Sequence, residues 1–241
     1  MKSLVKILIP RFILRAFRRL AHSHTTSKEA FEKVYLKETW GKSGDASDRF
    51  YSGAGSHMPS IVPIYVDAVA AFLESLDTKP NVVDLGCGDF AIGSKIRRHC
   101  NQYVACDVVE ALIARNGIKY RDLQVDFRTV DITEESLPEG DIVFLRQVLQ
   151  HLSNKHIAAV VSKLKNSYKY LVLTEHLPLR DDFSPNLDKE VGAGVRIDIG
   201  KKGSGVILTK PPFNLQVLQS SVLCEIPEGG SVIRTNLYKL R

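Results

Sequence analysis

Val82-Val83-Asp84-Leu85-Gly86-Cys87-Gly88-Asp89-Phe90 is the stretch that decides the fold. Val82, Val83 and Leu85 read as a buried strand, and Gly86 and Gly88 as the tight turn that carries it into a helix. Both glycines accept positive φ and leave no Cβ in the way, so backbone N–H groups at the helix start can approach a ligand closely. By pattern, Gly86 to Ala91 satisfies the dinucleotide fingerprint, with Asp107 at about the right distance to bind a ribose. Two classes of nucleoside ligand stand open at that point.

Three features favour a methyl donor over a dinucleotide. Asp84 lies inside the signature, where a carboxylate repels a diphosphate but suits a ligand carrying an ammonium and a sulfonium. Position 90 is Phe and the loop has only two glycines, so close approach by a pyrophosphate is less well provided for. Asp131, in Val130-Asp131-Ile132, ends a third strand-like run, where it can accept from an adenine amino group. Three carboxylates at successive strand ends converge on one crevice. Asp107 also reads as a helix cap, and Asp131 as a turn residue.

In kind and order, residues 81–176 resemble the class I S-adenosylmethionine-dependent methyltransferases. The resemblance implies S-adenosylmethionine as cofactor and a doubly wound, Rossmann-like seven-stranded α/β sheet, mostly parallel with a C-terminal antiparallel hairpin. It assigns Asp84, Gly86, Cys87 and Gly88 to the first motif, Asp107 with Val108 to the ribose side, and Asp131 with Ile132 to the adenine side; Arg146, ending the fourth strand-like run, joins the cofactor set. A narrower likeness, to an uncharacterised bacterial subgroup whose members often look like glycan-cluster enzymes, rests on Trp40-Gly41, Ser52-Gly53-Ala54-Gly55-Ser56, Cys87-Gly88-Asp89-Phe90, residues 145–152 and Pro211-Pro212-Phe213. Gln147 stands where that subgroup usually has an acid. Its Asn-x-Asp, Gly and Arg pattern is echoed only roughly by Asn186, Asp188, Gly192 and Arg196.

The alternation of elements agrees. Helices are expected at 28–38, 61–76, 91–99, 108–116 and 154–166, and strands at 81–85, 102–106, 125–130, 140–145 and 169–175. Residues 215–226 and 231–239, around Pro227-Glu228-Gly229-Gly230, read as a closing hairpin. A chain of 241 residues with 44% hydrophobic content can bury one full α/β core. A dehydrogenase needs a substrate domain, for which too little chain remains. The domain division is therefore a basic segment 1–27 and a catalytic body 28–241, with a cap region 28–80 that includes the Gly/Ser-rich connection 39–57, and a specificity insertion 177–214.

The formal charge of +6 has a local origin. Lys2, Lys6, Arg11, Arg15, Arg18, Arg19 and Lys28 precede the first acid, leaving 26 basic against 27 acidic residues in the body. Nucleic acid is therefore not an expected partner; Lys210-Pro211-Pro212-Phe213 resembles the motif of amino-directed DNA methyltransferases but lies far from the fourth strand, where that motif belongs. After Pro10, Ile13, Phe17 and Leu20 share one helix face and arginines another, which suits an anionic membrane surface contacted through residues 1–20. A transit peptide and a helix docked on the body fit the same pattern. Cys87, Cys100, Cys106 and Cys224 show neither paired nor zinc spacing, and no metal is expected. Reduced thiols point to a cytoplasmic protein, peripheral at the inner face of the membrane.

For the chemistry, a base is sought near the ends of the fourth and fifth strands. His151, Glu175 and His176 are the catalytic candidates, a neutral imidazole being a fitting proton acceptor near pH 7. The sequence reading is an S-adenosylmethionine-dependent O-methyltransferase acting on a hydroxylated acceptor, a glycan or lipid-linked saccharide. Its alternatives are a small-molecule or protein methyltransferase, and a non-catalytic nucleotide-binding scaffold of the same fold.

Overall fold

The computed structural model describes residues 26–45 and 48–241. The basic segment expected to meet a membrane lies outside the described residues, apart from its last two positions.

Seven strands form one sheet in the order β3-β2-β1-β4-β5-β7-β6. They are β1 (Val82–Leu85), β2 (Tyr103–Asp107), β3 (Asp126–Thr129), β4 (Ile142–Arg146), β5 (Tyr170–Pro178), β6 (Gln219–Glu228) and β7 (Ser231–Lys239). β1 to β5 pair in parallel, whereas β7 runs antiparallel to both β5 and β6. From β1 the chain first builds outward through β2 and β3, then returns to place β4 on the other side of β1. That reversal opens a crevice beyond the carboxyl ends of β1 and β4.

Both faces of the sheet are covered, which explains why the central strands are apolar on both sides. Strand alternation sends Val83 and Leu85 to one layer, with Val143, Leu145, Leu171 and Leu173, against Ile157, Val160 and Leu164 of a helix at Asn154–Ser167. Val82, Ala105, Ile142, Phe144 and Val172 face the opposite layer, against Tyr65, Val66, Val69 and Leu73 of a helix at Val62–Glu74. We number the helices α1 (Ser27–Leu36), α2 (Val62–Glu74), α3 (Gly93–Ile96), α4 (Glu110–Lys119) and α5 (Asn154–Ser167). α1 starts on a reciprocal capping box between Thr26 and Glu29. α5 starts on Ser153, whose hydroxyl accepts from His156 N.

The expected elements are present with shifted ends, and the shifts follow from packing and strand pairing. The helix expected over 91–99 shortens to α3 plus a 3₁₀ turn at Arg97–His99. Phe90, at φ +62° and fully buried, packs edge-on against Tyr103, Tyr120 and Phe127, and a Cβ at Gly93 would enter its ring. β5 runs three residues beyond its expected end because β7 pairs with it as far as Pro178. β6 begins at Gln219 rather than 215, since Leu215 is buried in the core and its N–H donates to Leu208 O of the insertion.

Candidate active site

The Gly-x-Gly turn, the ends of β1 to β4, and residues drawn from 27–40, 52–56 and 193–195 line one cavity of about 250 Å³. Each of the nine residues read as cofactor-binding lines it: Asp84, Gly86, Cys87, Gly88, Asp107, Val108, Asp131, Ile132 and Arg146. So does His151.

On the side of β1 to β3 the groups are acidic and largely buried. Asp84 is 8% exposed and accepts from Tyr103 Oη at 2.9 Å. Burial lifts its carboxyl to about 7, against the opposing pull of that hydrogen bond and of Arg146. Asp107 accepts from Gly88 N (3.1 Å) and Val109 N (3.1 Å); burial still raises it to about 6. One carboxylate thereby ties the glycine turn to the start of α4. Asp131 serves the turn after β3, its Oδ1 accepting from Thr133 N and Oγ1, while also lining the cavity. Gly86 and Gly88 stand at φ +79° and +55°. A Cβ at Gly88 would run into Ser52 Oγ, so only glycine lets the turn meet the segment that crosses it.

That crossing segment is the Gly/Ser-rich connection, and it is bound at both sides of the crevice. Ser52 N donates to Asp89 Oδ2 (2.9 Å), Asp89 N donates to Ser52 Oγ (2.7 Å), and His57 Nε2 lies 2.7 Å from the same carboxylate. At the end of β4, Arg146 donates to Ser56 Oγ (3.1 Å) and Gly55 O (2.6 Å), with its guanidinium over the Tyr65 ring at 4.9 Å. Residues 52–57 thus form a strap across the β1–β4 reversal. Asp89, Ser52 and His57 were not singled out as site residues; the Asp89 contacts span 32 and 37 positions of sequence, and local pattern carries no trace of them.

On the side of β4 the lining changes character. Phe31, Tyr35 and Trp40 come from α1 and its exit; Gln147, Val148, Gln150 and His151 follow β4; Ala193 and Val195 belong to the insertion. Trp40 lies 5.0 Å from the His151 ring and donates from Nε1 to Ala193 O. His151 Nδ1 is 3.3 Å from Gly194 O and its Nε2 3.3 Å from the Gln150 amide nitrogen. Because that amide nitrogen can only donate, Nε2 is the acceptor and Nδ1 carries the proton. Burial, and then the nearby Lys189 charge, push the imidazole down to about 4, so it is neutral at ordinary pH.

The other two catalytic candidates lie elsewhere. His176 is inside the β5–β7 ladder opposite Ile233, its Nε2 2.6 Å from Ser231 Oγ and 3.3 Å from Glu228, and it does not line the cavity. Expecting β5 to end at 175 had placed it at the strand tip; the longer ladder corrects that. Glu175 is 1% exposed beneath the turn 149–151, where Oε1 accepts from Leu149 N at 3.2 Å, and it too is absent from the lining. Its carboxyl is raised to about 8 by burial, with Arg196 pulling the other way. Cys87 lines the cavity as a thiol whose pKa burial drives well up, which suits a small spacer rather than a nucleophile.

The segment between β5 and β6 has neither helix nor strand and is anchored from within. The Asn186 amide bonds to Ile207 N and O and to Pro211 O, and Asp188 Oδ1 accepts from Asn154 N at the start of α5. Gly192 N donates to His151 O, and Arg196 is fully buried. Asn186, Asp188, Gly192 and Arg196 therefore work as one anchoring set despite their loose fit to the subgroup's spacing.

A family profile described as a methyltransferase domain matches residues 83–170, from β1 to the start of β5. This stretch, somewhat over a third of the chain, is similar to a methyltransferase domain. A Leishmania major S-adenosylmethionine-dependent methyltransferase is 14% identical, with a TM-score of 0.60 covering 92% of this chain and 89% of that one. The N-methyltransferase NodS from Bradyrhizobium japonicum, solved with S-adenosylhomocysteine, is 15% identical over 77% of this chain and 90% of its own (TM-score 0.54). Magnesium protoporphyrin IX methyltransferase from Synechocystis, with the same product bound, is 14% identical over 89% and 100% (TM-score 0.55). The sequence has no match among curated proteins. The shared fold is that of the class I methyltransferases, and S-adenosylmethionine is the donor that fold uses. Among the described residues no His, Cys, Asp and Glu cluster is arranged for a metal, and no helix is long and apolar enough to cross a membrane.

Proposed function

We propose that this methyltransferase transfers a methyl group to a hydroxyl of an uncharged, saccharide-type acceptor, a glycan or a lipid-linked saccharide. One observation carries the reading: the cavity is divided by chemistry. Its charged lining residues, Asp84, Asp89, Asp107, Asp131 and Arg146, belong to the β1–β4 ends and turns, whereas the part beyond Gln147 is lined by aromatic rings, neutral amides and a neutral imidazole. A charged acceptor would lose its hydration there with nothing to replace it. Aromatic rings and neutral hydrogen-bonding groups suit the apolar faces and hydroxyls of a sugar.

The residues fit the donor. Asp84, a buried carboxyl with a single hydrogen-bond donor, is placed to take an ammonium; Asp107 and Asp131 are the partners for ribose and adenine; Arg146 with the strap is the partner for a carboxylate. When bound, the donor supplies a methyl group already activated on a sulfonium. What the chain contributes is alignment of the acceptor, exclusion of water by the strap and the aromatic wall, and the lone pair of His151 Nε2, which an acceptor hydroxyl reaches by displacing the Gln150 amide N–H.

Calorimetry with S-adenosylmethionine and with NAD tests the donor, and labelled donor with fractionated cell glycans tests the acceptor. Label entering amine-bearing or proteinaceous fractions and no glycan would displace the saccharide reading. Residues 1–20 are proposed to hold the enzyme at an anionic membrane, and flotation with anionic liposomes that depends on them and weakens with salt is the expected result.

A further inference from the structure

The turn Leu149–His151 carries the two acceptor-side groups Gln150 and His151, and it is a single 3₁₀ turn. A turn this short makes few hydrogen bonds of its own, so its ends need partners from outside. Buried away from water, those ends cannot be left open. Two ionisable side chains from distant parts of the chain serve them. At the front, Glu175 Oε1 of β5 accepts from Leu149 N at 3.2 Å. At the back, Arg196 of the insertion donates from Nη2 to Leu152 O at 2.5 Å, and from Nη1 to Leu187 O. Glu175 is 1% exposed and Arg196 0%. Each keeps one polar atom, Oε2 and Nε, without a hydrogen-bond partner.

Burying a carboxyl and a guanidinium is unfavourable, and an apolar pair of similar volume often serves stability as well or better. Retaining them makes sense where direction matters, since a methylene cannot hold an N–H or a carbonyl at a set angle. The same insertion grips the turn again through Gly192 N and Lys189 Nζ on His151 O, and through Gly194 O on the His151 ring. Ala193 O takes the Trp40 indole N–H.

We propose that Glu175 and Arg196 are positioning residues that hold opposite ends of the 149–152 turn, fixing His151 in its Nδ1–H tautomer against the insertion and aligning Gln150 and Trp40 with it. They act through the turn, outside the cavity lining, and the insertion is thereby coupled mechanically to the acceptor half of the site. This inference rests on the acceptor-side role given to His151 above.

The test uses the full chain saturated with S-adenosylhomocysteine and needs no acceptor. The ring-nitrogen NMR signals of His151, assigned with His151→Asn, report the tautomer. Acrylamide quenching reports Trp40, the sole tryptophan of the chain. Glu175→Leu and Arg196→Met should lose the Nδ1–H signature and expose Trp40 well below their melting midpoints, with product affinity within about two-fold of the parent. Glu175→Gln, which still presents an oxygen to Leu149 N, should restore both signals. Should Arg196→Met not fold, the Leu and Gln pair at 175 decides alone. Unchanged tautomer and quenching in folded Glu175→Leu would overturn the inference and leave the proposed function standing. A parent protein whose His151 lacks the Nδ1–H tautomer would overturn both.

Discussion

Replacing Asp84 by Asn removes the one charge in the first glycine motif while keeping its volume and an oxygen for Tyr103 Oη. The pH dependence of donor binding then separates Asp84 from its neighbour. A carboxyl at about 7 is roughly one-eleventh ionised at pH 6 and half ionised at pH 7, so a ligand ammonium that needs the charged form gains about five-fold in affinity across that interval. Asp107, at about 6, adds roughly two-fold over the same range. The parent should therefore bind S-adenosylmethionine about ten-fold tighter at pH 7 than at pH 6. An α-amino group near 7.7–8.0 hardly titrates there, so the donor adds little slope of its own. Asp84→Asn should bind about 10- to 100-fold more weakly at pH 7, the loss of a charge-assisted hydrogen bond, and should retain only the two-fold slope. Calorimetry at constant ionic strength, in two buffers of different ionisation heat, reads both the affinity and the protons released. A parent affinity that is flat from pH 6 to 7, or a ten-fold slope surviving in the Asn variant, would refute the assignment of the buried carboxylate to the ammonium.

Gly88→Ala should weaken donor binding by more than about ten-fold and lower stability by about 1–2 kcal/mol, because the residue sits at φ +55° and its new methyl would strike Ser52 Oγ; calorimetry and thermal melting read both effects. Glu175 is held at about 8 against an ordinary 4.5, so the stability linked to its proton is complete below about 4.5 and is lost as pH rises through 8. Relative to Glu175→Gln, the parent's melting midpoint should accordingly fall between pH 5 and 9, and parallel curves for the two proteins would contradict the raised carboxyl. Asp188→Ala removes the acceptor of Asn154 N at the start of α5 and should cost about 1 kcal/mol in denaturant unfolding while leaving donor affinity unchanged.

The half of the cavity read as the donor side was legible in sequence because it is built from strand tips and the turns that follow them. Asp84, Gly86, Gly88 and Asp107 each sit at or just beyond the end of a short apolar run, and Asp131 just beyond the more polar β3; in a parallel sheet all such ends open on one side. Period and turn chemistry, both local, therefore sufficed. They also gave the closing hairpin, from its Gly229-Gly230 turn. The acceptor half was less legible. His176 looked like a strand-end base until β7 extended the ladder to Pro178, and Glu175 looked catalytic until its oxygen was found on Leu149 N. Neither fact has a local signal, since each depends on a partner tens of residues away.

The amino-acid sequence by itself determined the mostly parallel α/β sheet with its closing hairpin, and the glycine turn and strand-end acids read as donor-binding, because alternation, glycine turns and strand-end acids act over a few residues. Only the tertiary structure decided which groups, Asp89 and Arg146, hold residues 52–57 over the crevice, and that His151 alone of the three candidates lines the cavity. It also decided that the insertion grips the acceptor turn through Arg196. The physical reason is that these are contacts between buried polar groups far apart in the chain. Each forms because folding removes its partner from water, and no periodicity records which partner that will be.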